Sequence, residues 1–169
     1  MSRTTGDGRI FVSIASYRDE YLPFTVHSAL ENASEPDNLT FGICWQADDG
    51  EHEQLDPFLS DPRFRIRRYP YYASLGYGWA RAEVQKLYAG EQYHLLIDSH
   101  TAFAKGWDQN LIAQLNSKPS PKPLLTTSSP PFTLNERKQV VLPWAGTALD
   151  GVPRMTCTRI PPVGWLDIQ

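Results

Sequence analysis

An α/β fold with a mostly parallel central sheet flanked by helices is what the sequence predicts, and three features carry that expectation. Short β-branched or apolar runs alternate with segments of helical period. The run Leu95-Leu96-Ile97 is continuously apolar, as in a strand covered on both faces. Polar clusters follow the ends of several of these runs, where open parallel sheets collect their ligands.

The elements follow in order. Ile10 to Ser16 (IFVSIAS) is β-branched and reads as a first strand. Leu22, Val26, Ala29, Leu30 and Ala33 keep helical spacing, with Asp19 placed to cap that helix. Leu39 to Gln46 and Phe64 to Tyr69 read as the second and third strands. From Gly78, residues Ala80, Val84, Leu87 and Tyr88 form one face of a helix expected to end at Gly90. The strand Tyr93 to Asp98 comes next, then a short helix with Trp107, Leu111, Ile112 and Leu115 inward. Leu124 to Ser128 reads as one more strand. Beyond Asn116 proline and serine accumulate, and Val140 to Gln169 shows no periodicity.

The bulk properties narrow the function. The chain has 169 residues, the size of one domain, with 41% hydrophobic and 21% charged residues. A net charge of −3 argues against a nucleic-acid surface. The polar amino terminus does not read as a signal peptide, and no run approaches the roughly 20 apolar residues of a membrane span. Cys44 and Cys157 match no disulfide framework or zinc pattern, so a reduced, cytoplasmic setting is expected. No histidine follows His100, and no serine–histidine–acid or cysteine–histidine spacing suggests covalent catalysis. His27, His52 and His94 read as structural.

Four polar clusters lie at strand ends or helix starts: Tyr17-Arg18-Asp19, Gln46-Ala47-Asp48-Asp49, Gly76 through Arg81, and Asp98-Ser99-His100. In a continuing strand, Asp98 and His100 would project to one side and form a divalent-metal site. The plainer alternative is a polar turn that closes the strand. Tyr17-Arg18-Asp19 serves equally as a solvated turn with a helix cap, and Asp48-Asp49-Gly50 as a tight turn. Gly76 and Gly78 match neither the dinucleotide fingerprint nor the Walker pattern. Arg81 near a helix start is either a surface charge or a phosphate contact.

Taken together, the ordered segments Ile10 to Asp19, Leu39 to Ile43 with Gln46, Gly76 with Ala80-Arg81, Leu87 to Glu91, Tyr93, Ile97 to His100, Phe103 and Trp107-Asp108 resemble the GlcNAc glycosyltransferase family. That family includes a cytoplasmic enzyme that glycosylates hydroxyproline in a ubiquitin-ligase subunit. The resemblance implies a GT-A-like nucleotide-diphospho-sugar transferase, read as one domain over 1–169. Its nucleotide-sugar-binding core would span 10–130, with an irregular acceptor-side region over 131–169. It implies transfer of N-acetylglucosamine from UDP-GlcNAc, with retention of configuration, to a protein or glycan hydroxyl. By the same resemblance Asp98 and His100 hold Mn2+ or Mg2+ as a D-x-H motif. Asp98 and Arg81 would be catalytic, and Ala15, Ser16, Tyr17, Arg18, Gln46, Arg81 and Ser99 would bind the donor. Two departures from the family stand out. Thr101-Ala102 replaces a larger residue followed by arginine, and no match is read beyond Glu136, which leaves a third metal ligand unassigned. The alternative expectation is therefore a truncated or catalytically inactive nucleotide-sugar-binding or interaction domain.

Overall fold

The computed structural model describes residues 8–48, 55–127, 132–137 and 140–141. Asp49, Gly50, His52, Ser128 and Cys157, each weighed above, lie outside the described residues, as do the amino-terminal seven and 142–169. The chain divides into two units, 1–109 and 110–169.

The first unit is built on four parallel strands: β1 (Ile10–Tyr17), β2 (Leu39–Ala47), β3 (Phe64–Pro70) and β4 (Tyr93–Asp98), in the order β3-β2-β1-β4. Helix α1 (Leu22–Asn32) joins β1 to β2, and α2 (Tyr77–Gln85) lies between β3 and β4. Parallel strands need such crossovers, which cover the sheet faces. Every residue of β2 is buried, as expected of an interior strand.

Strand alternation and register divide the sheet into two faces. Phe11, Ser13 and Ala15 share one face with Gly42, Cys44 and Asp98. There Ala80 and Val84 of α2 pack on Phe11 and Cys44. The ring of Phe11 lies across β2: a Cβ on Gly42 would fall 2.2 Å from it, so only glycine fits. On the same face Arg65 of β3 pairs with Glu91 at 2.7 Å, and Arg67 with Glu83 at 3.0 Å. These pairs match the buried carboxylates of the α2 region. On the opposite face Phe41 stacks on Phe64 at 4.8 Å, Phe58 packs on Phe64, and His27 of α1 closes over Phe58.

Three expectations need correction. β4 is not covered on both faces: α2 lies over β1 and β2, and Leu96 is 54% exposed. Helix α2 ends at Gln85 rather than Gly90, because Leu87 and Tyr88 turn back through bonds to Val84 and Gln85 carbonyls. Residues 124–127 form no strand; Leu124 is exposed and follows the proline-rich stretch that starves a ladder of donors.

Helix α3 (Trp107–Asn116) starts in the first unit and runs into the second. The second unit also holds β5 (Thr133–Leu134) and β6 (Val140–Val141), a short antiparallel pair in the stretch read as irregular.

Candidate functional site

The strand order itself points to a site. β1, β2 and β3 run outward in one direction, and the chain then returns to place β4 on the other side of β1. The sheet's topological switch lies between β1 and β4, and ligands of open α/β sheets bind outside the carboxyl ends there. Tyr17 is in register with Gln46, and Ala15 with Asp98, so the clusters after β1, β2 and β4 meet at that edge.

Two features occupy it. The first is a cleft of about 470 Å3 lined by Tyr17, Gln46, Tyr71, Tyr72, Ser74, Gly76 and Tyr77. Tyr71 and Tyr72 form a single turn after β3, and Tyr17 meets Tyr71 edge-on. The Arg18 guanidinium lies 4.5 Å from the Tyr71 ring centre and 3.4 Å from Asp48. Arg18 has φ +48, a left-handed turn that a non-glycine residue holds only when its surroundings enforce it. Here its amide donates to the Gln46 carbonyl at 2.9 Å. Gly76 has φ +94 at the mouth of α2 and leaves the cleft open beside Tyr77.

The second feature is a polar corner between β1 and β4. Arg81, from α2, donates to the Ser13 carbonyl at 3.0 Å and the Ile97 carbonyl at 2.8 Å, and meets Asp98 at 3.3 Å. Its guanidinium also lies 4.8 Å from the Tyr77 ring centre, which joins the corner to the cleft. β4 stops at Asp98, and a bend at Ser99-His100 ends the alternation that would have set Asp98 and His100 side by side. Asp98 faces Arg81, whereas His100 faces Asp19, with Nδ1 2.7 Å from Oδ2. Ser99 is buried and donates to the same Asp19 oxygen at 2.6 Å.

Helix α1 fixes this bend. Thr25 Oγ1 donates to the Ser99 carbonyl and accepts from the Thr101 amide, and Ser28 Oγ accepts from the Phe103 amide. The Ala29 carbonyl takes the Trp107 indole N–H. Burying Thr25 and Ser28 on a helix face is explained by this second use. Asp108 then accepts from the Ser34 and Glu35 amides, each at 2.8 Å.

Burial alone would raise the Asp19 carboxyl, but hydrogen bonds from Ser99, His100 and the Tyr21 amide outweigh it and hold it below its ordinary range. Burial pushes the Cys44 thiol up to about 11, with Glu83 adding to the effect, so it is no nucleophile at neutral pH.

Three buried side-chain atoms lack a hydrogen-bond partner among the described residues: Ser16 Oγ, Gln46 Oε1 and Arg81 Nε. All three belong to residues expected at the donor site. An orphaned buried polar atom is costly and calls for a partner such as a water, an ion or a ligand. Asp98 and His100 side chains are 63% and 62% exposed, open to a cation. Carboxylate oxygen and imidazole nitrogen suit a divalent ion such as manganese. Among the described residues, no group of three or more such donors could hold a metal ion.

Every expected donor-site residue thus lies on this edge, but Arg81 has an unexpected duty as a brace between β1 and β4. The sequence reading weighed Asp19 only as part of the turn after β1 and as a helix cap, yet Tyr21 holds the cap position, α1 has no side-chain cap, and Asp19 pairs with Ser99 and His100. It missed Tyr71 and Tyr72, although the same strand-end rule applied to β3 would have found them.

No curated protein matches the chain. Among the described residues, no helix is long and apolar enough to cross a membrane. The family model described as Glycosyltransferase (GlcNAc) matches residues 9–62 and 47–166, reaching well past Glu136, where the resemblance was read to stop. An edge that gathers β1, β2 and β4 at a nucleotide-type switch, together with a match over most of its length, makes this chain a member of the GlcNAc glycosyltransferase family.

Proposed function

We propose that this chain is a metal-dependent glycosyltransferase that takes UDP-N-acetylglucosamine and transfers the sugar, with retention, to an acceptor hydroxyl on a protein or glycan. The observation that carries the reading is the set of orphaned atoms on Ser16, Gln46 and Arg81, at the switch beside an exposed carboxylate and imidazole.

The aromatic cleft takes the uracil ring, with Gln46 supplying its unpartnered amide oxygen as an acceptor. Base stacking on such a platform is worth about 1–3 kcal/mol per base. The diphosphate lies toward Arg81 and Asp98. Asp98 and His100 are the residues that would hold the ion, Mn2+ or Mg2+. When bound, that ion supplies Lewis-acid stabilisation of the charge on departing UDP. Arg81 holds Asp98 in place and offers its free Nε–H toward the same region. Retention by front-face attack of the acceptor rests on the family resemblance.

Isothermal titration of UDP into the protein, with and without Mn2+, tests the reading. Mn2+-dependent binding that Asp98→Ala abolishes is expected. UDP binding that ignores both the ion and that substitution refutes metal dependence. Binding without sugar transfer or donor hydrolysis would identify a catalytically silent nucleotide-sugar-binding domain.

A further inference from the structure

Asp19 sits in the turn between β1 and α1, on the path that Arg18 redirects from the strand. Its carboxylate is only 15% exposed and is held from three sides. Oδ1 takes the Tyr21 amide at 2.9 Å. Oδ2 takes the Ser99 hydroxyl at 2.6 Å and faces His100 Nδ1 at 2.7 Å. The Ser99 contact fixes the carboxylate against the same bend that carries His100, and Thr25 pins that bend to α1. Asp19 and the backbone that carries His100 are therefore each held by bonds other than the Asp19–His100 contact itself.

We infer that Asp19 is the positioning residue of His100, fixing its ring and tautomer so that Nε2 presents its lone pair to a divalent cation. The inference rests on the metal reading above and adds a residue to it. A carboxylate has no proton to give, so it can only accept, and the imidazole proton must reside on Nδ1. The ring's single lone pair then belongs to Nε2. The imidazole side chain as a whole is 62% exposed. A carboxylate behind a ligating imidazole fixes its orientation and raises its basicity, and losing it typically weakens metal binding about 10- to 100-fold. Asp98 is instead paired with Arg81, at 3.3 Å. The two sides of the corner are thus supported by different elements, α1 with its preceding turn for His100 and α2 for Asp98.

The test is Mn2+ binding followed by electron paramagnetic resonance in the presence of UDP, for wild type, Asp19→Asn and His100→Ala. Alongside it, nitrogen-15 NMR of metal-free wild-type protein reads the His100 tautomer. The expected result is an Nδ1–H tautomer in wild type and Mn2+ affinity weakened about 10- to 100-fold in Asp19→Asn. Wild-type affinity in Asp19→Asn, while His100→Ala loses it, overturns the positioning role and leaves the metal reading standing. No Mn2+ binding by wild type overturns the metal reading and this role with it. Should Asp19→Asn fail to fold, the wild-type tautomer decides: Nδ1–H supports the role and Nε2–H overturns it.

Discussion

Replacing Arg81 by methionine separates its two duties, because methionine keeps the apolar stem and removes the guanidinium fork. Arg81 is 11% exposed along its side chain and donates to the Ser13 and Ile97 carbonyls at 3.0 and 2.8 Å. A hydrogen bond from a charged donor contributes about 1.5–3 kcal/mol, so losing both costs about 3–6 kcal/mol. The Asp98 contact adds little by comparison: at 3.3 Å to a 63% exposed carboxylate it is worth on the order of 0.2–1 kcal/mol. The assay is urea unfolding followed by tryptophan fluorescence. With a slope of about 1–3 kcal/mol/M, the Arg81→Met midpoint should fall by about 1 M or more. Asp98→Asn should shift it far less. If Arg81→Met unfolds at the wild-type midpoint, Arg81 is not the brace between β1 and β4. If the two variants fall equally, Arg81 acts mainly through Asp98, and the energetic ranking above is wrong.

Four further outcomes are expected. Gly42→Ala should destabilise by about 1–3 kcal/mol or more, since its Cβ meets the Phe11 ring, and Phe11→Leu in the same chain should recover part of the loss in the same urea assay. Thr25→Val, equal in shape, breaks the bonds to Ser99 and Thr101 and should lower both the unfolding midpoint and Mn2+-dependent UDP affinity. Tyr71→Ala removes a wall of the cleft and the ring beneath Arg18; titration should show UDP affinity weaker by about 1–3 kcal/mol, with the midpoint nearly unchanged. Acid should destabilise through Glu91 and Asp108. Burial would raise both carboxyls, but the Ala89 amide and Arg65 hold Glu91 down, and the Ser34 and Glu35 amides hold Asp108 down. With the folded values depressed, their stabilisation is present above the ordinary carboxylate range of about 4 and lost as pH falls through the folded values. Midpoints at pH 7 and pH 5 should therefore be close, that at pH 3 clearly lower, and Glu91→Gln should flatten the difference.

Local patterns were enough for the frame. The β-branched runs at Ile10 and Leu39 and the helical spacing from Leu22 mark elements whose period is set by which face meets the core, and that information is local. The errors arose where coverage is set by distant parts. Leu95-Leu96-Ile97 looks like a strand sealed on both sides, but α2 packs mainly over β1 and β2 and touches β4 through Arg81, and no local pattern encodes how far a helix extends over a sheet. Likewise the face from Ala80 to Tyr88 continues the helical period beyond Gln85, although the backbone has already turned toward Gly90 and its φ of +95.

The site follows the same division. Residues at strand ends were legible because a parallel sheet sends every strand's carboxyl end to one edge, so position along the strand predicts the neighbourhood without knowledge of the partner. What a side chain does there was not legible, because it depends on pairings far apart in sequence. Asp19 and His100 are 81 residues apart, and each has an adequate local explanation, a helix cap for one and the end of a D-x-H motif for the other. Asp98 and His100, two residues apart, were expected to act as one unit. The bend after β4 instead hands Asp98 to Arg81 and His100 to Asp19, so each is oriented by a different crossover. A cation held between them would depend on how β1's turn and α2 sit against the same strand. Substitutions at Asp19 and Arg81 should therefore be distinguishable: the first alters His100 with little cost to the sheet, and the second loosens the sheet before it alters Asp98.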